Sequence, residues 1–172
     1  MKILDNFLKY FVGILFIFSG LIKVNDPIGT SIKLKEYFEV FANDFAPFFA
    51  FFIPYSLVIA VFVVVLEVVL GIALLLHYRM KLTSWIFLLL IAFFTFLTFY
   101  SAYFNKVTEC GCFGDAIPLT PWQSFAKDVV LSVLVILIFI RRNHFKPFMK
   151  DRTGNVVMAL SFAANIYLCV YA

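Results

Sequence analysis

The sequence is poor in charged residues. Only 14% of its 172 residues are Asp, Glu, Lys or Arg, whereas 64% are hydrophobic and 20% are aromatic. An ordinary soluble domain is about 25% charged and close to half apolar, so this composition excludes that class. The net charge of +4 comes from basic residues near the ends of apolar runs, which argues against a nucleic-acid-binding surface. We therefore expect an integral membrane protein whose surroundings are the lipid bilayer.

The apolar residues fall into long runs, each close to the roughly 20 residues that cross a bilayer. They predict an all-α, polytopic membrane bundle in a single domain. The first run is interpreted as a retained helix, because no small-residue cleavage site follows it. Thr120, Pro121 and Gln123 predict a capping box at the start of the fourth span. The predicted spans cover about residues 6–24, 48–77, 83–104, 121–140 and 155–172.

The segment between the first two spans has its own helical pattern. Asp26 is a candidate N-cap and Pro27 a first helical residue, which predicts a helix over about residues 27–42. Its apolar stripe either lies on the bilayer surface or packs across the mouth of the bundle, and the pattern fits both. The stripe consists of Leu34, Tyr37, Phe38, Phe41 and Phe45.

The basic residues predict the orientation. Nine fall at the N-terminus and in the loops after spans two and four, against five on the other side. The positive-inside rule then places the N-terminus in the cytoplasm. The loop of residues 105–120 faces the periplasm or the exterior, and Cys169 lies close to the same surface. Disulfides persist in that compartment.

Cys110 and Cys112, in the loop sequence CGC, are the candidate catalytic residues. A disulfide between them closes a very small ring, so it would be a poor staple and easily reduced. Glu109 and Asp115 disfavour a thiolate beside them, which favours an oxidised pair that a partner's thiol attacks. A structural bridge remains the alternative.

A metal site is the competing chemistry for the cysteine pair. The chain has 3 cysteines and 2 histidines, and a closed zinc site needs four ligands. His77 and His144 lie on the predicted cytoplasmic side, so they cannot join Cys110 and Cys112. Because both histidines are on the same side of the membrane, they cannot be the two axial ligands of a haem inside the bilayer either. We predict no metal site.

Polar residues inside the spans are the remaining candidates. Glu67 should face the bundle interior and have a partner. One interpretation is functional: a proton relay, or a contact to a buried ligand such as a quinone. The other is structural: a protonated acid that is hydrogen-bonded to a neighbouring helix. Lys23 is interpreted as a lysine at the membrane interface and Asp26 as a helix cap. The alternative is that both, together with Asp115, form the mouth of a site. Cys169 is a possible relay, with an inert apolar residue favoured.

Three stretches resemble a known group of membrane proteins. GILFIFSGLIKVNDPIG in span one and LEVVLGIALL around Glu67 resemble DoxX-like proteins, and CGCFGD resembles the MauE branch of that superfamily. The resemblance implies a four-helix core with a fifth span outside it, in a bacterial inner membrane. It also implies a thioredoxin-like partner in the periplasm, on the side of the Cys110 and Cys112 loop. MauE-type members are tied to the maturation of methylamine dehydrogenase, and DoxX relatives to quinone-linked sulfur oxidation. The resemblance carries over to Cys110, Cys112 and Glu67.

Two functions follow as hypotheses. The first is a membrane thiol–disulfide oxidoreductase or relay, quinone-linked and acting in envelope protein maturation. The second is a non-catalytic membrane subunit that anchors or assembles an envelope complex. A transporter is a weaker third hypothesis, because no pair of spans shows an inverted repeat with broken helices.

Overall fold

Helices account for nearly all of the computed structural model, which describes residues 2–104, 107, 120–144 and 151–171. The prediction of an all-α membrane bundle is confirmed for these residues. In chain order the helices are α1 (Lys2–Asn25), α2 (Pro27–Asp44), a 3-10 helix (Pro47–Tyr55), α3 (Ser56–Leu75), α4 (Met80–Phe104), α5 (Pro121–Arg141), a short 3-10 turn (Arg142–His144) and α6 (Asp151–Tyr171).

Five helical segments in the described residues are long and apolar enough to cross a membrane. The second, Pro47–Leu75, combines the 3-10 helix with α3. Pro54 lies inside the 3-10 part, where its missing N–H and its ring oppose a regular α-helix. After α3 the chain turns sharply, with left-handed backbone at His77 (φ 52°) and Arg79 (φ 41°).

α1 and α3 approach each other closely because glycines line their contact. A Cβ added to Gly71 would lie 2.9 Å from the carbonyl oxygen of Gly13, and one added to Gly20 would lie 2.5 Å from Val68 Cγ2. Small residues let membrane helices pack backbone against backbone. The expected close packing at Gly71 is therefore present, and it fixes how α1 and α3 face each other.

The bundle core lies between α1, α3, α4 and α5. Phe16 and Phe87 meet edge to face, with ring centroids 4.6 Å apart, and Leu74 and Val135 belong to the same buried cluster. Helix α6 contacts α3 and α1 but remains largely exposed. It is an addition to the side of the core.

α2 packs across one end of the bundle, against α3 and the 3-10 helix. Tyr37 and Phe41 are buried in a cluster with Leu97 and Tyr100 of α4 and with Val107. Of the two alternatives for this helix, the structure supports packing across the bundle mouth. Phe45 is 59% exposed, so it does not belong to the buried side of the predicted stripe.

Candidate functional site

Lys23 and Glu67 form a salt bridge inside the bundle. Lys23 Nζ lies 2.8 Å from Glu67 Oε2, and the two residues are 4% and 3% exposed. The geometry follows from helix direction: side chains lean toward the N-terminus of their helix, and α1 and α3 run antiparallel. The side chain of Lys23 therefore points back along α1 into the bundle, and the side chain of Glu67 points along α3 toward Lys23.

This pairing changes the interpretation of both residues. Glu67 faces the interior and has a partner, as expected for a carboxylate in a span. The structure shows a cation, Lys23, as its partner. The interfacial position favoured for Lys23 is wrong, because the side chain turns inward to the carboxylate. An interfacial lysine would extend its ammonium into water.

A second ion pair lies beside the first. Lys127 Nζ is 3.0 Å from Asp128 Oδ1, and the Asp128 side chain is 2% exposed. Both residues line one small pocket with Ser19, Lys23 and Glu67. We call these five residues of α1, α3 and α5 the core charge cluster. Its two ammonium groups balance its two carboxylates, which offsets the cost of burying them.

Sequence reasoning missed most of this cluster. Asp128 is not among the predicted site residues, and Lys127 enters the prediction only as one of the five basic residues on the outward side. The signal was present: Asp128 lies well inside the apolar run of α5, and a carboxylate in a span is costly without a partner. The sequence could not show which helix supplies that partner.

Lys23 also lines a second space, between α2, α3 and α4, which we call the α2–α4 cleft. Its walls include Thr30, Val63, Phe94 and Thr98. The ammonium of Lys23 lies 4.7 Å from the ring centroid of Phe94, a cation–π contact. Lys23 therefore belongs to the core charge cluster and also lines a mostly apolar cleft.

Cys110, Cys112 and Asp115 lie outside the described residues, but both ends of their segment are described. Before it, the hydroxyl of Ser101 donates to the carbonyl of Val107, which is buried. After it, the predicted capping box of Thr120 and Gln123 is confirmed. The described residues on either side of the cysteine segment therefore lie at the end of the bundle that α2 covers. Lys23, near the C-terminal end of α1, belongs to the same end.

Cys169 and Asp26 occupy ordinary structural positions. Cys169 is a free cysteine, 8% exposed, packed with Val24, Val64 and other valines. This environment fits the inert apolar residue that was favoured, and a relay role stays a prediction. Asp26 caps α2, with its Oδ1 accepting from the N–H of Gly29 at 2.8 Å.

Metal ligation finds no support in the described part of the chain. There, no group of three or more His, Cys, Asp or Glu side chains is arranged to hold a metal ion. The cysteine pair falls outside this test. What the described site offers is a pair of ion pairs inside the bundle beside a mostly apolar cleft.

The comparison with known proteins gives a family match. The model of the family described as methylamine utilisation protein MauE matches residues 1–141, which covers α1 to α5 and leaves out α6. Protein TlpB of Flavobacterium psychrophilum is 30% identical over 105 residues, covering 56% of this chain and 26% of TlpB. The chain matches about a quarter of that relative's length. No solved structure matches it.

Proposed function

This chain belongs to the methylamine utilisation protein MauE family, and we propose that it is a membrane thiol–disulfide oxidoreductase or relay. Its partner is a periplasmic protein of the thioredoxin fold. Family membership supports a redox-associated role in a membrane. The observation that carries the finer proposal is that the CGC segment joins α4 to α5 at the same end of the bundle as Lys23.

The exchange begins from an oxidised Cys110–Cys112 pair. A thiolate of the partner attacks one sulfur, the short disulfide breaks, and a mixed disulfide forms while the other cysteine leaves as a thiolate. A second thiol of the partner then resolves the mixed disulfide. The partner loses two electrons and two protons, and the pair becomes a dithiol.

Continued turnover requires that the dithiol be reoxidised. A lipid-soluble quinone takes up two electrons and two protons, so it balances the oxidation of one dithiol to one disulfide. Glu67 and Asp128 are buried carboxylates inside the bundle, and intramembrane carboxylates serve as proton relays. The quinone link and the proton role of Glu67 are parts of the same proposal.

The proposed orientation places the N-terminus in the cytoplasm and the cysteines in the periplasm. The support for this orientation is the bias of nine basic residues against five, by the positive-inside rule.

Trapping tests the proposal. A Cys112→Ser variant cannot form the disulfide, so the trap supplies an oxidant: in membranes treated with diamide, which takes up two electrons and two protons, Cys110 should form a mixed disulfide with a thioredoxin-fold protein, detected as a reductant-sensitive adduct and identified by mass spectrometry. Cys112→Ser/Cys169→Ser is the matched control, since removing the thiol in the valine cluster should leave the adduct formed by Cys110 unchanged. If neither Cys110→Ser nor Cys112→Ser captures a partner and both stay active, the relay proposal is lost.

A non-catalytic anchor or assembly subunit is the second candidate. The observation that favours it is the limited coverage of TlpB, because the matched region is only 26% of that protein and so forms one part of something larger. A double Cys110→Ser/Cys112→Ser variant separates the two functions. An anchor keeps its partner and its function without the thiols, whereas a relay loses its function.

A further inference from the structure

We infer that the turn between α3 and α4, together with the 3-10 turn after α5, forms a binding site for the phosphate group of an anionic phospholipid. The inference goes beyond the proposed function, because the site lies at the end of the bundle opposite the cysteine segment and does not depend on thiol exchange. Its residues line one open pocket, which we call the basic pocket: Arg79, Met80, Lys81, Leu82, Arg142 and Asn143.

Two segments far apart in the chain bring three cations together in the basic pocket. The left-handed backbone of Arg79 (φ 41°) directly precedes α4, and Lys81 lies in the first turn of that helix. Arg142 begins the 3-10 turn after α5, which contacts α4. The first N–H groups of α4 have no partner within the helix, and they carry the positive end of its dipole. The backbone therefore adds to the positive potential of the three side chains.

The charge of the basic pocket is complementary to an anion. Among the described residues, its three cations have no carboxylate as an ion-pair partner, and no acid lines the pocket. The neighbouring Arg141 differs, because its Nε lies 2.9 Å from Asp5 Oδ1. Like charges gathered at one site repel each other, and an anion placed between them replaces that repulsion with attraction.

Arg142 is held in place and has donors to offer. Its guanidinium carbon lies 4.1 Å from the ring centroid of Phe139, a cation–π contact. Its Nη1 is buried without a hydrogen-bond acceptor among the described residues, and a buried donor that lacks an acceptor is costly. The side chain as a whole is half-buried and lines the open pocket. A guanidinium presents its N–H groups in a planar fork that matches two oxygens of a phosphate, so a bound phosphodiester supplies acceptors to this fork.

Apolar surface beside the cations favours a lipid over a free phosphate. Leu82, which lines the pocket, is 52% exposed, and Trp85, on the next turn of α4, is 50% exposed. Trp85 packs edge to face on Phe139, with ring centroids 4.8 Å apart. Tryptophan is enriched at the depth of lipid headgroups, which places the basic pocket at that depth with a surface for an acyl chain next to it. In the proposed orientation this is the cytoplasmic leaflet, whose anionic lipids attract basic segments beside the spans.

Native mass spectrometry of the full chain in detergent measures the affinity for each added lipid. Phosphatidylglycerol should bind about tenfold more tightly than phosphatidylcholine, which has the phosphate but no net charge. Glycerophosphoglycerol, the same headgroup without acyl chains, should bind more weakly than phosphatidylglycerol. Equal affinity for the two lipids would overturn the inference. Binding of glycerophosphoglycerol as tight as that of the lipid would also overturn it, because the pocket would then be a site for soluble anions.

Two variants test the cations of the pocket. Arg142→Met should lower the affinity for phosphatidylglycerol roughly tenfold to a hundredfold, as for the loss of hydrogen bonds to a charged group. Lys81→Met changes an exposed side chain, so it keeps the test valid if Arg142→Met fails to fold. It should lower the affinity about threefold, as for an exposed ion pair.

Arg152→Met is the matched control. Arg152 is exposed in the first turn of α6, at the same end of the bundle, and does not line the basic pocket. This variant removes the same charge as Arg142→Met and should leave the affinity for phosphatidylglycerol unchanged. Equal losses in the two arginine variants would show that net charge alone attracts the lipid. Unaltered affinity in both pocket variants would show that the lipid binds elsewhere, and either result would overturn the inference.

Discussion

Breaking the Lys23–Glu67 pair from one side should destabilise the bundle strongly. Each single variant, Lys23→Met or Glu67→Leu, leaves one charged group buried without its counter-ion. The double variant removes both charges and keeps similar side-chain volume. The structure therefore predicts two damaging single substitutions and a double variant that is much less damaging than their sum.

The magnitude follows from the geometry. At 2.8 Å, two unit charges attract by about 6 kcal/mol at an effective dielectric constant of about 20. Desolvation of both groups offsets much of this attraction, and removal of one partner of a buried pair costs about 3–5 kcal/mol. Replacing the whole pair with apolar residues should be close to neutral.

Steric trapping in detergent micelles or bicelles measures the free energy of unfolding for all four members of the cycle. The matched control is the Lys35–Glu39 pair, which is 3.7 Å apart with side chains 51% and 49% exposed. An exposed pair one helical turn apart is worth only about 0.3–0.5 kcal/mol. The same cycle at that pair should show almost no coupling.

The reasoning would be refuted by additive behaviour at the buried pair. If each single variant lost less than about 1 kcal/mol and the double variant lost their sum, the two charges could not be buried partners. Lys23 would then extend to the interface.

Three further predictions concern other parts of the structure. Gly71→Ala should lower the free energy of unfolding by about 1–3 kcal/mol in a thermal unfolding assay. The added Cβ would lie 2.7 Å from Ile17 Cγ1 and 2.9 Å from the carbonyl oxygen of Gly13. Unchanged stability would show that α1 and α3 are farther apart. Thr120→Ala should cost about 1 kcal/mol by loss of the capping box, measured in the same way, and Thr120→Ser should restore most of it. Cys169→Ala should leave partner trapping intact, and loss of trapping would instead make Cys169 a participant in exchange.

Local pattern was sufficient for much of the fold. Runs of about 20 apolar residues can cross a bilayer only as helices, because every backbone polar group must be satisfied within the segment. The caps at Asp26 and Thr120 depend on residues within three or four positions, so the sequence shows them directly. The predicted second span differs at its start, where the chain forms a 3-10 helix around Pro54. A proline's effect depends on the packing of its neighbours as well as on its own ring.

The candidate site was likewise predicted in part from local sequence, and the rest of it depends on tertiary structure. The sequence by itself marked Glu67 as a carboxylate in need of a partner and the CGC segment as a redox candidate, since both conclusions need only residue type and depth in the membrane. The identity of the partner, Lys23, and the inclusion of Asp128 were decided by the tertiary structure. Lys23 and Glu67 are far apart in the chain and meet because glycines bring α1 and α3 together, with the two side chains leaning in opposite directions. Asp128 joins them from α5. Side-chain direction across a helix pair depends on how the helices are rotated, and no local pattern specifies that rotation.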